Sequence, residues 1–577
     1  MWRFLGTYLR PHRGILLLGL VLNAISGMAT SVQALAPKYL LDNVLLAPAL
    51  SQAQRVRHLV AFVSVYLFIV IIFRMLCWHL SFRLFTHVRE NLLFALRSQF
   101  FRQINALCLR FHLRHTSGEL YSYLFGTPLM QVQQYFYQIT MFGAQAGFMM
   151  LTTLVWVFTW DWALAMVFVC VLLFNFVLMR GTQRRIRALH VDFQTTEGKV
   201  GGYVADLLRG NKTIQLHGAE KHVIEQFDVQ ALAMGHKAYH RDIQGHVQNM
   251  KQETTGYIVY MLLSAVCAWR FWTGHITGAE VLVSLGALGT LYFPLQQLFL
   301  ISNLHASSSV SLNRLQELLQ EQSSTPDPAQ PDTPRPGDIV LHRVSFSYGG
   351  QPVFQDFDLR IPYGQRVALV GPSGSGKSTL TQLILRFYDP DEGSVTLDGR
   401  DLRNHRSHDL RRLFGVVPQE PYLFSTTLRD NLRLIRTDAT DPEIVEACQK
   451  ANAWEFIEKL PKGLDTEVSE SGTTLSGGQR QRLAIARVLL TDPRFYIFDE
   501  ATSALDALSE RLIQESLQRI LVNKTTLFIA HRLSTVAFCD RILVLRQGKI
   551  IQEGTYAELS ERAGLFREMV QSSVLAK

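Results

Sequence analysis

The nine residues Gly371-Pro372-Ser373-Gly374-Ser375-Gly376-Lys377-Ser378-Thr379 decide how the second half of this 577-residue chain is read. They follow an apolar run, Arg366–Val370, that reads as a buried strand, and they open a helical pattern from Lys377 onward. A glycine-rich turn in that setting wraps backbone N–H groups round an anion at a helix N-terminus. Lys377 would then reach the β- and γ-phosphates of a nucleotide, and the Ser378 hydroxyl is placed for Mg²⁺. All nine residues are candidate nucleotide-binding positions.

Further along, Phe495–Glu500 (FYIFDE) is an apolar strand ending in two carboxylates. Asp499 would hold Mg²⁺ through water, and Glu500 would polarise the water that attacks the terminal phosphate. Between the two elements lies Leu475-Ser476-Gly477-Gly478-Gln479, followed by a helical run. Ser476 and the Gly477 and Gly478 amides at that helix start form a second anion site. From Asp338 onward short β-rich runs such as IVLHRVSFSY and QRVALVG alternate with helical ones, which is an α/β pattern.

The first half has a different composition. Over the whole chain 48% of residues are hydrophobic and 18% charged, and the mean hydropathy is +0.10, which excludes a disordered chain and is unusual for a soluble enzyme. Residues 1–322 carry 26 Lys and Arg against 15 Asp and Glu, and the remainder 31 against 33, so the basic excess belongs to the apolar half. It is spread between apolar runs and does not form one dense tract, so it reads as membrane topology and not as nucleic-acid binding. Six stretches are long and apolar enough to span a bilayer: 14–36, 59–81, 140–159, 162–180, 256–273 and 280–302. Inner segments carry twenty Lys and Arg against three on the outer ones, including Arg180, Arg184, Arg185 and Arg187, which predicts a multi-pass protein with both termini cytoplasmic. The first span lacks a small-residue cleavage site and reads as a helix of the mature protein. The long inner segments keep helical periodicity (Val88, Leu92, Leu96, Phe100) and predict cytoplasmic extensions of the membrane helices. The run EQSSTPDPAQPDTPRPG, from Glu321 to Gly337, has five prolines and reads as a linker. Six cysteines show no CxxC or CxxH spacing, so neither a zinc site nor a disulfide framework is expected.

With its phosphate loop, its acidic strand end and LSGGQ twenty residues before that end, the chain resembles the ATP-binding cassette (ABC) transporters of the exporter type, in the half-transporter form. The resemblance implies an all-α six-helix transmembrane domain (1–322) with long cytoplasmic extensions, a Pro-rich linker (323–337) and an α/β P-loop ATPase domain with a helical subdomain (338–577). It further implies that Gln419 in VVPQ senses Mg²⁺ and the attacking water, and that Asp506 in SALD is the family's D-loop aspartate and an ATP-binding residue. His531, ending TTLFIAH, would contact the γ-phosphate, and Tyr348 in SFSYGG would stack on adenine. Ser476, Gly477, Gly478 and Gln479 would face the γ-phosphate bound by another subunit. Residues 111–132 resemble the family's first inner segment, with a coupling helix near His115–Leu120, and 206–222 the second. One stretch departs from the family: in TEVSESG, Glu470 matches an acidic contact residue while Ser469 and Ser471 differ.

The resemblance implies ATP and Mg²⁺ as cofactors, a second copy of the chain as partner, with a heterodimer as alternative, and export across a bacterial inner or plasma membrane. An importer built on the same fold and an ATP-regulated membrane protein that does not pump are the alternatives. The cargo is not named by the sequence, but two polar stripes bear on it. In the first span Asn23, Ser26, Thr30 and Gln33 share an arc of about 80°, and in the sixth Tyr292, Gln296, Phe299, Asn303 and Ser307 do the same. Polar groups in hydrocarbon need partners, so both stripes are expected to face a central cavity for an amphipathic cargo, with Arg74 as a further cationic candidate.

Overall fold

The computed structural model describes residues 2–33, 36–45, 51–469, 474–500, 507–530 and 533–575. The chain divides into two compact units, residues 1–107 with 114–321 and residues 108–113 with 322–577.

Among the described residues, unit one is built from six long helical rods. The first is Arg13–Gln33. The second runs from Gln52 to Ala106 through a π-helical stretch at Leu67–Phe73. The third runs from Thr127 to Trp160 through another at Gln138–Gly143. The last three are Trp162–Arg209, Glu220–Trp272 and Gly278–Gln320, of 48, 53 and 43 residues. At about 1.5 Å per residue each is roughly twice as long as a hydrocarbon core is thick. Stretches long and apolar enough to cross a membrane are Phe4–Ser31, Gln52–Ala106 and Ser117–Thr159, with shorter apolar stretches at Trp162–Phe174 and Gly278–Ala287. Large apolar side chains such as Val21, Phe68, Ile72, Val155 and Phe158 stand exposed along the rods, as a lipid-facing surface requires.

The turn between the third and fourth rods is one residue long. Asp161 makes it possible, because its Oδ1 accepts the N–H groups of Ala163 and Leu164 at 2.7 and 3.2 Å and so caps the fourth rod. Its other oxygen takes the Nε of Arg270, at the end of the fifth rod, at 2.6 Å. Asp161 is buried, and a carboxylate there is tolerable only with this full set of donors. The sixth rod opens with a capping box of Thr277 and Glu280, and Glu280 also pairs with Lys38 at 2.6 Å.

Unit two carries two sheets. Strands β1 (Ile339–Tyr348), β2 (Gln351–Ile361), β4 (Glu392–Leu397) and β5 (Arg400–Asp401) form an antiparallel sheet in the order β2-β1-β4-β5. Strands β3 (Arg366–Val370), β6 (Phe414–Val417), β7 (Phe495–Asp499), β8 (Thr525–Ile529), β9 (Arg541–Arg546) and β10 (Lys549–Gly554) form the second, ordered β10-β9-β3-β8-β7-β6, parallel except for β10. The parallel strands are buried on both faces: Ala368, Val370, Phe498 and Phe528 enter one core, and Val367, Leu369, Ile497 and Leu527 the other. That is why they read as continuous apolar runs. The short helices Leu428–Arg433, Asp441–Lys450 and Trp454–Glu458 and the helix Gly477–Leu489 lie in the chain between β6 and β7.

Two segments make contacts that the sequence pattern does not announce. The Pro-rich run is laid along unit two as a strap. Arg386, 2% exposed, donates to the carbonyls of Pro326 and His405 at 2.8 and 2.7 Å, and Asp327 accepts the backbone N–H and the hydroxyl of Ser407 at 2.8 and 2.7 Å. The part of the first inner segment that joins unit two is 108–113, just upstream of the coupling helix expected near His115–Leu120. The contact is apolar: Leu109 packs on the core around β1 and β4 and Phe111 is buried, whereas Thr116, Ser117, Gly118 and Glu119 offer no large apolar side chain.

Candidate nucleotide site

The parallel sheet sets the site. In the order β3-β8-β7-β6, the C-terminal strand ends deliver the phosphate loop, the segment after Ile529, the Asp499–Glu500 pair and Gln419 to one edge. Ligands bind at such edges in open α/β sheets.

The phosphate loop has the backbone its composition predicts. Gly371 has φ +151° and a Cβ there would lie 2.1 Å from the Leu545 carbonyl oxygen, while Gly376 has φ +104° and a Cβ would lie 2.9 Å from the Phe354 ring. Only glycine fits either place. The Gly548 N–H bonds to the Ser375 carbonyl at 3.2 Å and braces the loop from the β9–β10 turn. Ser375 is 3% exposed and its hydroxyl has no protein partner, which suits a loop built to receive phosphate oxygens. Lys377 lies buried with its ammonium donating to the carbonyls of Gly371 and Pro372 at 2.8 and 3.0 Å. Burial pushes its pKa below the ordinary lysine range, with the carboxylates of Glu500 and Asp499 pulling back. Ser378 is exposed one residue on, and its hydroxyl and the Asp499 carboxylate are hard oxygen donors of the kind that could hold Mg²⁺.

Glu500 follows β7 with φ +47°, a left-handed backbone that costs a non-glycine residue about 1–3 kcal/mol. Its N–H bonds to the Ile529 carbonyl at 2.9 Å, and its Oε2 accepts the Gln419 amide at 2.7 Å. The strained turn aims the carboxylate across the strand ends toward Gln419. Tyr348 is fixed on three sides. Its ring meets Phe346 at 4.9 Å and Tyr388 at 5.4 Å, both edge to face, and its hydroxyl bonds to Gln382 Oε1 at 2.5 Å. Gln382 sits on the helix Lys377–Ile384 that follows the phosphate loop, so the candidate adenine-stacking ring is tied to the phosphate site.

At the signature, Ser476 is the N-cap of Gly477–Leu489. Its Oγ accepts the Gln479 N–H at 3.2 Å, and the Gln479 side chain returns to the Ser476 N–H at 2.9 Å. Gln479, a candidate nucleotide contact in the sequence, here completes a capping box. The Ser476 hydroxyl hydrogen and the first amides of the helix stay available to an anion. Gln481, buried on the same helix, donates to the Gln419 carbonyl at 3.4 Å and links the signature helix to the loop after β6. Asp506, His531, Glu470 and Ser471 lie outside the described residues. Sequence reading missed Gln382, Tyr388 and Gln481, whose roles come from contacts between distant segments with no local pattern.

The polar stripes of the membrane half are not both open. Asn23 and Ser26 are fully buried, and the Asn23 amide donates to the carbonyls of Thr140 and Met141 at 3.0 and 2.6 Å, inside the π-helical stretch of the third rod. In this arrangement Asn23 is engaged by the third rod: a widened helical turn exposes carbonyls sideways, and the Asn23 amide donates to them. Thr30 bonds back to the Ser26 carbonyl at 2.9 Å. On the sixth rod Gln296 is exposed, Asn303 half-buried, and Phe299 and Ser307 buried. Gln33 and Tyr292 lie on helices, with side chains outside those described. Arg74 donates to the Val70 carbonyl of its own rod at 3.0 Å.

Comparison with known proteins agrees with this architecture. Residues 16–295 match the family model of the ABC transporter transmembrane region and residues 354–503 that of the ABC transporter. The chain is 34% identical over 482 residues to an ATP-dependent lipid A-core flippase of Chromobacterium violaceum, covering 82% of this chain and 81% of the relative. It is 31% identical over 566 residues to a multidrug export ATP-binding/permease protein of Staphylococcus aureus, covering 97% and 98%. A solved bacterial Atm1-family ABC exporter with ATP bound superposes with a TM-score of 0.90 at 28% identity, over 98% of both chains.

Proposed function

The chain belongs to the ABC transporter family as an exporter-type half-transporter, a multi-pass membrane protein with one ATP-binding domain, and from that premise we propose that two copies form an ATP-driven exporter working by alternating access. The observation that carries the reading is the Gln419–Glu500 hydrogen bond beside the phosphate loop, together with a signature helix on the same chain. One chain offers one phosphate face and one signature face, so two copies would complete two composite ATP sites.

In each site Lys377 and the loop amides hold the phosphates and Tyr348 orients the adenine. Ser378 and Asp499 would hold Mg²⁺, which withdraws charge from the phosphate oxygens when bound. Glu500, held by Gln419, orients the attacking water and takes its proton. Ser476 of the second copy closes the site with its hydroxyl and helix amides. Closure draws the two ATPase units together, the long rods carry the motion, and the cavity turns outward; hydrolysis returns it.

Both termini face the cytoplasm, in keeping with the charge asymmetry of the inner segments. The cargo is an amphipathic molecule, lipid or drug-like, as the named activities of the relatives suggest. The test is transport in proteoliposomes with ATP supplied outside. Accumulation of a fluorescent amphipath in the lumen, dependent on hydrolysis and lost in Glu500→Gln, supports export. Movement in the opposite direction, or brisk hydrolysis with no movement of any amphipath or lipid tried, rejects it.

A further inference from the structure

Residues 108–113 lie in the chain between two rods of the membrane half, yet they are part of the ATPase unit. Leu109 packs on the core that contains Phe346 and Tyr388, and Phe111 is buried. Between these two anchors the half-buried Arg110 holds its guanidinium carbon 5.5 Å from the centroid of the Tyr388 ring. Tyr388 is 3% exposed and meets Tyr348 at 5.4 Å with the rings at 87°. It also packs on Phe346 at 5.4 Å. Arg110, Tyr388 and Tyr348 therefore stand in an unbroken line from the inserted segment to the adenine-stacking ring.

A cation over an aromatic face is attracted by the ring's quadrupole, and the attraction strengthens as water is excluded. Tyr388 cannot turn away from Arg110 without disturbing its contacts with Phe346 and Tyr348. We propose that Arg110 is a positioning residue of the nucleotide site: it fixes Tyr388, and through Tyr388 the pose of Tyr348, so that adenine stacking and the seating of residues 108–113 stabilise one another. Linkage makes the effect reciprocal, since whatever the segment contributes to nucleotide affinity, bound nucleotide returns to the segment. The proposal rests on the reading of Tyr348 as the side chain that stacks on adenine.

The test uses the full-length protein in lipid nanodiscs. Arg110→Met keeps the length and apolar contacts of the side chain and removes the cation. It raises KM for ATP about threefold to tenfold, the range of one cation–π contact, with a smaller change in kcat. Arg110→Lys restores part of the loss and carries the decision if Arg110→Met fails to fold. Tyr388→Leu raises KM similarly, and the double variant is no worse than the worse single one. Hydrogen exchange at residues 105–115 slows when a non-hydrolysable ATP analogue binds the wild type, and this slowing is lost in Arg110→Met. An unchanged KM in Arg110→Met, effects of the two variants that multiply, or exchange indifferent to nucleotide overturns the proposal. Tyr348→Ala separates the two levels: if it leaves KM unchanged, the adenine reading falls and the proposal with it. If it raises KM while Arg110→Met does not, only the role of Arg110 falls.

Discussion

The side-chain amide of Gln419 donates to the carboxylate of Glu500 at 2.7 Å, joining two residues 81 positions apart at the ends of neighbouring parallel strands. The amide fixes one carboxylate oxygen, so in the proposed mechanism Glu500 would meet the attacking water in a set orientation. Glu500→Gln should bind ATP with near-native affinity and lower hydrolysis by about 10²-fold or more, the usual contribution of a positioned base. Gln419→Ala keeps the base and loses its orientation, so the loss should be smaller. Single-turnover hydrolysis and equilibrium binding separate the two effects. Near-native turnover in Glu500→Gln would remove that residue from catalysis.

Lys377 and Ser476 belong to opposite faces of a composite site in the proposed dimer. Lys377→Ala chains and Ser476→Arg chains should each be nearly inactive as homodimers. Mixed dimers hold one intact site and one doubly damaged site, so mixing should restore measurable hydrolysis. Cross-linking establishes that mixed dimers form, and a mixture that never exceeds its parents despite them argues against sites shared between copies.

Cys108 offers a check on the seating of the inserted segment. Partial burial raises its thiol pKa, but hydrogen bonds from the Ser324 side chain and backbone, the Phe111 backbone and Ser323 outweigh this and pull it down to about 7. A lowered thiol pKa puts thiolate in place above that pH and removes it below. Alkylation by iodoacetamide, followed residue by residue by mass spectrometry, should therefore rise through a midpoint near pH 7. An ordinary cysteine gives about 8.5. Cys448 and Cys539, both pushed up to about 12 with burial as the largest cause, should stay unmodified throughout. Ser324→Ala should shift the Cys108 midpoint upward, and a wild-type midpoint at 8.5 or above would contradict the hydrogen-bonded geometry.

The parts legible in the sequence were those with local causes. A strand buried on both faces, a glycine turn and a helix start are written in consecutive residues, so Gly371–Thr379 and Phe495–Glu500 could be placed before any contact was known. The sheet order that sets Gln419 beside Glu500 has no local signal, and only the role of Gln419 was available, through family resemblance. Nothing near Arg386 announces that it will anchor the Pro-rich run, because its partners Pro326 and His405 lie 60 and 19 residues away. The seating of 108–113 was hidden for the same reason: Leu109 and Phe111 look like any apolar pair on a helix, and only the core that receives them distinguishes them.

The polar stripes show where periodicity alone stops, and they yield a discriminating experiment. A helical wheel groups Asn23 with Ser26 and Gln296 with Asn303, but it does not say which neighbour covers each face. The structure separates them: Asn23 is fully buried against two carbonyls of the third rod, while Gln296 is exposed. Asn23→Leu removes both interhelical hydrogen bonds, each worth about 0.6 kcal/mol on average and at most roughly 1.7 in a membrane bundle. It should lower thermal stability and folded yield while the folded fraction keeps its response to cargo. Gln296 lies within the span 280–302 expected from the sequence, where a polar amide is costly against lipid and reasonable beside a water-filled or cargo-filled space. Gln296→Leu should therefore fold normally, keep basal ATPase activity and lose stimulation by amphipathic compounds. Should Gln296→Leu respond to cargo as the wild type does, the sixth-rod stripe is packing as well. Should Asn23→Leu fold normally and lose stimulation, its side chain reaches cargo in another state of the transport cycle, and the assignment of Asn23 to packing alone falls.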